Sequence, residues 1–152
     1  MDDLYVIIGS DHGGFELKEI IKAHLNNHYI KYYDIGCYDE ESCDYPNIAE
    51  KLCIKLINET NTKKANINHY GILICGTGIG ISMAANKIKN IRCALCHNEF
   101  TARMSRKHNN ANVLALGGRT TGVEIAKSIV NTFLNEKFEG GRHIRRISIF
   151  DP

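Results

Sequence analysis

The stretch Tyr70-Gly71-Ile72-Leu73-Ile74-Cys75-Gly76-Thr77-Gly78-Ile79-Gly80 decides the fold. Its first six residues form a short apolar run, the glycines that follow read as a turn, and helical spacing begins near Ile79. A strand that ends in a glycine turn and opens a helix is the repeating unit of α/β proteins. Glycines let backbone N–H groups approach an anion closely, and a helix N-terminus adds a favourable field. A cysteine in that position, Cys75, is a usable base or nucleophile. Taken alone, the same residues fit a tight turn with a buried thiol equally well. A dinucleotide fingerprint is a poor fit, because its third glycine would fall where the chain has Ile81. A P-loop is excluded for want of Gly-Lys-Ser/Thr.

Working outward, the same alternation fills the chain. Leu4 to Gly9 reads as the first strand, and Leu17, Ile20, Ile21, His24 and Leu25 mark one face of the helix after it. Tyr29 to Ile35 is the second strand. Asp44 can cap the second helix, with Pro46 in its first turn. Residues 58 to 69 read as a polar loop before the third strand, Tyr70 to Cys75. Ile91 to Cys96 is the fourth strand, Asn98 can cap the fourth helix, and Val113 to Leu116 is the fifth strand. Val123, Ala126, Ile129, Val130 and Phe133 mark the fifth helix. The pattern predicts an α/β fold: a three-layer, Rossmann-like open sheet of five parallel strands with helices on both faces, in one domain spanning 1–152. Such sheets bind ligands outside the carboxyl ends of their strands. That rule nominates Ser10 to Gly14, Gly36 to Pro46, Cys75 to Gly80, His97 and Gly117-Gly118-Arg119. His108-Asn109-Asn110 follows the fourth helix and so belongs at the opposite edge of its own sheet.

Composition narrows the function classes. The chain has 152 residues, 43% hydrophobic and 24% charged, with two prolines, which argues against disorder. Nineteen Lys+Arg against seventeen Asp+Glu leave +2, with no basic block of the kind a nucleic-acid partner needs. The apolar runs fall short of a membrane span, and Met1-Asp2-Asp3 is acidic where a signal peptide is basic. A soluble cytoplasmic protein is expected. Its six cysteines are then expected to stay reduced, without a disulfide framework. Cys93-Ala94-Leu95-Cys96-His97 matches the c-type haem attachment pattern but alternates like a strand. No second ligand pair stands at zinc-finger spacing. Small apolar core residues are the better reading, and neither a cofactor nor a metal is expected.

Weaker signals remain. Asp11-His12 fits a polar turn as readily as a binding site, and Tyr45 fits plain loop packing. The tail Gly140-Gly141-Arg142-His143-Ile144-Arg145-Arg146 fits a solvated end. On a helical turn, however, Arg142 and Arg146 stand four apart and face one way, an arrangement suited to phosphate. Arg119, after two glycines at a strand end, could join them.

In this order, nearly the whole chain resembles the type B ribose-5-phosphate isomerase family, whose cousins include galactose-6-phosphate isomerase subunits. The resemblance runs through Gly9-Ser10-Asp11-His12, Asp44-Tyr45-Pro46, Cys75 to Gly80, Ser105-Arg106-Lys107-His108-Asn109, Asn112-Val113-Leu114, Gly117-Gly118-Arg119 and Gly140-Gly141-Arg142-His143. It implies an aldose–ketose isomerase of the pentose phosphate pathway, interconverting ribose 5-phosphate and ribulose 5-phosphate through an enediolate. By position, Cys75 would be the base that moves the proton between C1 and C2, and His108 the group that opens the sugar ring. Asp11, His12, Tyr45, the turn Gly76, Thr77, Gly78, Ile79 and Gly80, and Asn109, Arg119, Arg142 and Arg146 would bind the sugar phosphate. Some relatives use a glutamate in the glycine turn; Ile79 stands there in this chain, so the cysteine version applies. The chain departs from the pattern in a longer polar loop around Thr60 to Asn68. A homodimer with sites shared between subunits is expected, with pairing into tetramers open. A six-carbon sugar phosphate is the alternative substrate, and a non-catalytic nucleotide-binding module the more distant one.

Overall fold

The computed structural model describes residues 3–62 and 66–152. The reading of Met1-Asp2, and part of the polar loop, lies outside them. Five strands, β1 (Asp3–Ser10), β2 (Lys31–Asp34), β3 (Ile67–Cys75), β4 (Cys93–Leu95) and β5 (Val113–Gly117), form one sheet in the order β2-β1-β3-β5-β4. Every pairing is parallel. Among the described residues six α-helices accompany them: α1 (Phe15–Asn27), α2 (Tyr45–Asn61), α3 (Ile79–Ala85), α4 (Glu99–Asn109), α5 (Val123–Asn135) and α6 (Arg142–Phe150).

Alternation along the strands feeds two cores. Val6 and Ile8, Ile72 and Ile74, and Leu114 and Leu116 face α1, α4 and α5, where Ile21, Leu25, Ile129 and Phe133 are fully buried. Ile7, Leu73, Val113 and Ala115 face α2 and α3, against Leu52, Leu56 and Ile81. Each large apolar side chain taken out of water in this way is worth about 1.5–3 kcal/mol. The three-layer expectation is met.

The boundaries differ from the periodicity in instructive places. Tyr29 has a φ of 57°, so the chain is still turning after α1 and β2 begins only at Lys31. Most of the supposed loop 58 to 69 is regular structure: α2 runs on to Asn61 and β3 starts at Ile67. Asn58 and Thr60 lie on the wet side of a helix, and Asn68 at the exposed start of a strand. Asp44 precedes α2 without a side-chain capping bond, whereas Asn98 does cap α4, its Oδ1 accepting from the Thr101 N–H at 2.8 Å. The basic tail is no loose end, since Arg142 opens α6.

Candidate active site

Strand order reverses between β1 and β3: from β1 the chain moves outward to β2, and from β3 it moves the other way, to β4 at the far edge and back to β5 in between. The crevice outside their carboxyl ends is where open α/β sheets bind ligands. Asp11 and Cys75 stand on its two sides, following the paired Ser10 and Ile74. The Asp11 carboxylate accepts from the Gly14 N–H at 3.1 Å, and the Asp11 N–H donates to the Ile74 carbonyl at 3.2 Å. Cys75, 4% exposed, accepts a hydrogen bond on Sγ from the Gly78 N–H at 3.1 Å. That turn needs Gly78 to adopt a φ of 76°, a conformation costly for any residue with a Cβ.

The turns after β1, β3 and β5 pack backbone to backbone. The Gly118 N–H donates to the Cys75 carbonyl at 2.8 Å, and the Arg119 N–H to the Gly76 carbonyl at 2.9 Å. A Cβ on Gly118 would stand 2.6 Å from the Gly13 carbonyl oxygen. The Arg119 guanidinium lies over Gly76, where an added Cβ would meet Nη1 at 3.1 Å. The Tyr45 ring, at the start of α2, covers Gly80 in the same way, with its hydroxyl 2.8 Å from an added Cβ. Thr77 turns its hydroxyl to the Ile79 N–H at 3.2 Å, and Ile79 itself is half exposed. Among the described residues, no backbone or side-chain acceptor meets the N–H groups of Gly76, Thr77 or Gly80.

The ring of His12 is oriented from across the crevice. Its Nδ1 accepts the Cys43 N–H at 3.2 Å, which assigns the ring proton to Nε2 and makes that nitrogen a donor. His12, Gly13, Gly118 and Arg119 line a cleft of about 310 Å³, with Glu40 at its rim. Free N–H groups, a guanidinium and an imidazole donor can hold an anion, and a thiol beside them can take a proton from carbon. Asp11, His12, Tyr45, Cys75, Gly76 to Gly80 and Arg119 are therefore brought together.

His108, Asn109, Arg142 and Arg146 are not. His108 and Asn109 end α4, and Asn110 leaves it with a φ of 45° just before β5 begins. Cys75 pairs with Gly117 at the far end of β5, so the depth of the sheet, about 13 Å over four steps, lies between the two groups. Arg142 and Arg146 belong to α6, which packs against α4. Within one chain, Arg119 does not join them, contrary to the sequence reading. The end of α4 is held by the buried Arg106, which donates to the Ala111 carbonyl and to the Tyr70 hydroxyl (2.8 Å) while stacking on that ring.

Sequence reasoning missed two neighbours of His108. The His143 ring stacks on it, centroids 4.3 Å apart and planes 15° apart, and Glu139 faces both rings. Burial, then the proximity of His108 and Arg142, keeps the His143 imidazole below its ordinary titration range. The motif Gly140-Gly141-Arg142-His143 is visible in the sequence and Glu139 precedes it, but nothing local connects either to position 108.

The cysteines need one correction. Cys37 and Cys43 are joined in a disulfide across the loop after β2, whereas all six were expected to be reduced. The five residues between them fold back on themselves there, a closure that spacing alone does not reveal. Cys93 and Cys96 belong to opposite faces of the sheet, so they are core residues that cannot grip one haem. Burial pushes both thiols up, and that of Cys53 to about 12.

Comparison with known proteins bears on the family and the fold. The pattern of the family described as Ribose/Galactose Isomerase matches residues 6–150. The chain is 42% identical over 142 residues to ribose-5-phosphate isomerase B of Escherichia coli, covering 93% of this chain and 91% of that one. Among solved structures, it superposes on a ribose 5-phosphate isomerase of Thermotoga maritima with a TM-score of 0.89 at 48% identity, covering 97% of each chain. It superposes on ribose-5-phosphate isomerase B of Mycoplasma genitalium with bound ribulose-5-phosphate with a TM-score of 0.87 at 42% identity, covering 98% of this chain and 95% of that one. A switch-point thiol turn of this form, on a chain matched along almost its entire length, places the protein in the ribose/galactose isomerase family.

Proposed function

We propose that the chain, as a single sugar-phosphate isomerase domain, interconverts D-ribose 5-phosphate and D-ribulose 5-phosphate without a metal or cofactor. The observation that carries the reading is the turn Cys75 to Gly80, with a buried thiol and unpaired N–H groups at the sheet's switch point. The similarity to ribose-5-phosphate isomerases over more than nine-tenths of the chain supports it.

Cys75 takes the proton from C2 of the open-chain aldose and returns it at C1. The enediolate oxygen that forms between the two steps is met by backbone donors of the glycine turn, whose preorganisation lowers such barriers by several kcal/mol. His12 and Arg119 hold polar groups of the substrate from the β1 and β5 turns, so that binding becomes orientation. His108 opens the furanose ring, and Asn109, Arg142 and Arg146 bind the same sugar phosphate. Because these four lie at the opposite sheet edge from Cys75, the reading requires a homodimer in which each site is completed by the partner's α4 and α6. It carries with it a cytoplasmic location, where phosphorylated sugars are retained.

The test is ketose formation from ribose 5-phosphate by the purified chain in the presence of a chelator. Absence of turnover, with the substrate bound, would overturn the reading. The family description also names galactose, so allose and galactose 6-phosphates belong in the same assay. A higher kcat/KM for either would assign the six-carbon sugar.

A further inference from the structure

The disulfide between Cys37 and Cys43 closes a loop whose two ends are held differently. Cys37 is fastened to the core: its N–H donates to the Ser10 carbonyl, and its own carbonyl takes the ammonium of the fully buried Lys18. Residues 38–42 between the cysteines are all exposed. Among the described residues, their hydrogen bonds are the Tyr38 hydroxyl to the Asp34 carbonyl at 3.2 Å and the Glu41 N–H to the Asp39 carboxylate at 3.0 Å. Cys43 stands two residues before α2, beside an Asp44 that makes no side-chain capping bond. Its own ties are the disulfide and the N–H that meets Nδ1 of His12 at 3.2 Å. The disulfide therefore connects the group that orients His12 to the part of the loop that cannot move.

We propose that Cys37 and Cys43 are a reversible thiol–disulfide modification site, exchanging with low-molecular-weight thiols and disulfides, whose closed form holds His12 ready for the sugar phosphate. The proposal rests on the binding role of His12 and the cytoplasmic location given above, since in a reducing compartment a disulfide serves as a switch rather than a staple. Access singles out this pair. Cys53, Cys75 and Cys96 are buried, and Cys93 lies in the apolar cluster under α2 and α3, where burial pushes its thiol up. Cys37 and Cys43 border the open loop, where a dissolved reagent reaches them first. Asp39, Glu40, Glu41 and Asp44 surround them with negative charge and no Lys or Arg stands in the loop, so a cationic disulfide is the favoured reagent.

Closure takes two exchanges. The thiolate of one cysteine attacks a sulfur of the small disulfide, breaks its S–S bond and expels a thiolate, which takes up the proton that the cysteine lost. The second cysteine then attacks the protein sulfur of that mixed disulfide, forms the Cys37–Cys43 bond and expels the other thiol. Two electrons pass from the protein pair to the reagent, and a dithiol reverses both steps. Opening returns freedom to the chain at Cys43, and with it the fixed tautomer of His12 and the place of Glu40 at the rim of the cleft are lost. One neutral hydrogen bond of this kind corresponds to about three- to tenfold in affinity.

The experiment treats the full-length protein with cystamine or with dithiothreitol, alkylates it and digests it with trypsin. The tryptic peptide of residues 32–51 contains Cys37 and Cys43 and no other cysteine. After cystamine it should be two hydrogens lighter and refuse the alkylating label; after dithiothreitol it should take two labels. A peptide that stays open or stops at the mixed disulfide would overturn the site. Affinity for ribose 5-phosphate is measured by calorimetry in Cys75→Ala, which removes the other thiol near the ligand. The reduced form should bind about three- to tenfold more weakly, and Cys37→Ser with Cys43→Ser should match it under both treatments, with circular dichroism checking the fold. Equal affinity of the two forms, or a redox response that survives in the double variant, would overturn the proposal. Nitrogen NMR of His12 supplies a readout without turnover: one Nε2–H tautomer when closed, a mixture when open. Closure that shifts these signals in a chain that isomerises no sugar phosphate would sink the proposed function and uphold the modification site. Normal isomerisation with a KM indifferent to closure would do the reverse.

Discussion

Asp34→Asn tests whether the loop that orients His12 hangs on one buried charge. Lys18 is fully buried on α1, and its ammonium donates to both carboxylate oxygens of Asp34, at 2.8 and 2.9 Å, and to the Cys37 carbonyl. All three ammonium protons are thereby used. The carboxylate also takes Lys22 Nζ at 2.8 Å and the Gly36 N–H at 2.9 Å. Asparagine keeps the shape but leaves the buried ammonium only the more distant, half-exposed Glu19 carboxylate, at 3.9 Å, as counter-ion. Breaking a buried pair from one side costs about 3–5 kcal/mol. Because the Asp34 side chain retains 13% exposure and Lys22 20%, the low end, about 3 kcal/mol, is expected. That is a large part of a total stability of about 5–15 kcal/mol. In urea, with a slope of about 2 kcal/mol/M, the midpoint should fall by about 1.5 M. Lys18→Met with Asp34→Leu, which removes both charges, should recover most of the loss. Acid provides a second readout. Burial alone would raise the Asp34 carboxyl, but hydrogen bonds from Lys18, Lys22 and the Gly36 N–H outweigh it and hold the group below its ordinary value. Its stabilisation is thus complete above the unfolded carboxylate range, near ~3.9, and is lost as pH falls through the folded value. The variant should show a flatter stability slope below about pH 4. A loss under about 1 kcal/mol, with an unchanged acid slope, would refute the argument.

Cys75→Ala should lower kcat by at least ~10² while inhibition by a phosphate-bearing analogue stays nearly the same, since general-base contributions have that size; turnover within a fewfold of wild type would remove the thiol from the mechanism. Mixing Cys75→Ala with His108→Asn chains under subunit exchange should restore activity, because some hybrid sites receive both native groups. A fully active monomer, measured by sedimentation at assay concentration, would defeat the shared site. His108→Asn should slow catalysis from ribose 5-phosphate far more than from ribulose 5-phosphate, which has no ring to open; equal losses in initial rate from both sides would assign His108 to another step.

Sequence alone determined the features whose causes are local. Alternating apolar runs and helical spacing announced five parallel strands and the amphipathic faces of α1 and α5, because burial on one face imposes a period of 2 or 3.6. The turn Cys75 to Gly80 was legible because its stereochemistry demands glycine where the chain needs it, at Gly78. The opposite-edge position of His108 also followed, since a helix after a strand must run back across the sheet. Only the tertiary structure decided what depends on distant partners. The order β2-β1-β3-β5-β4 is set by which strand edges pair through backbone hydrogen bonds while helices cover both faces, and with it the crevice that unites Asp11, Cys75 and Arg119. Polar residues 58 to 61 were read as loop because nothing in them shows that Leu56 and Leu52, one and two turns earlier, anchor α2 in the core. The Cys37–Cys43 link, the Cys43 N–H on His12 and the stacking of His143 on His108 are likewise invisible in the chain. Each joins residues separated by a turn or by several elements, and a side chain's partner across such a gap is chosen by packing, not by its neighbours in sequence.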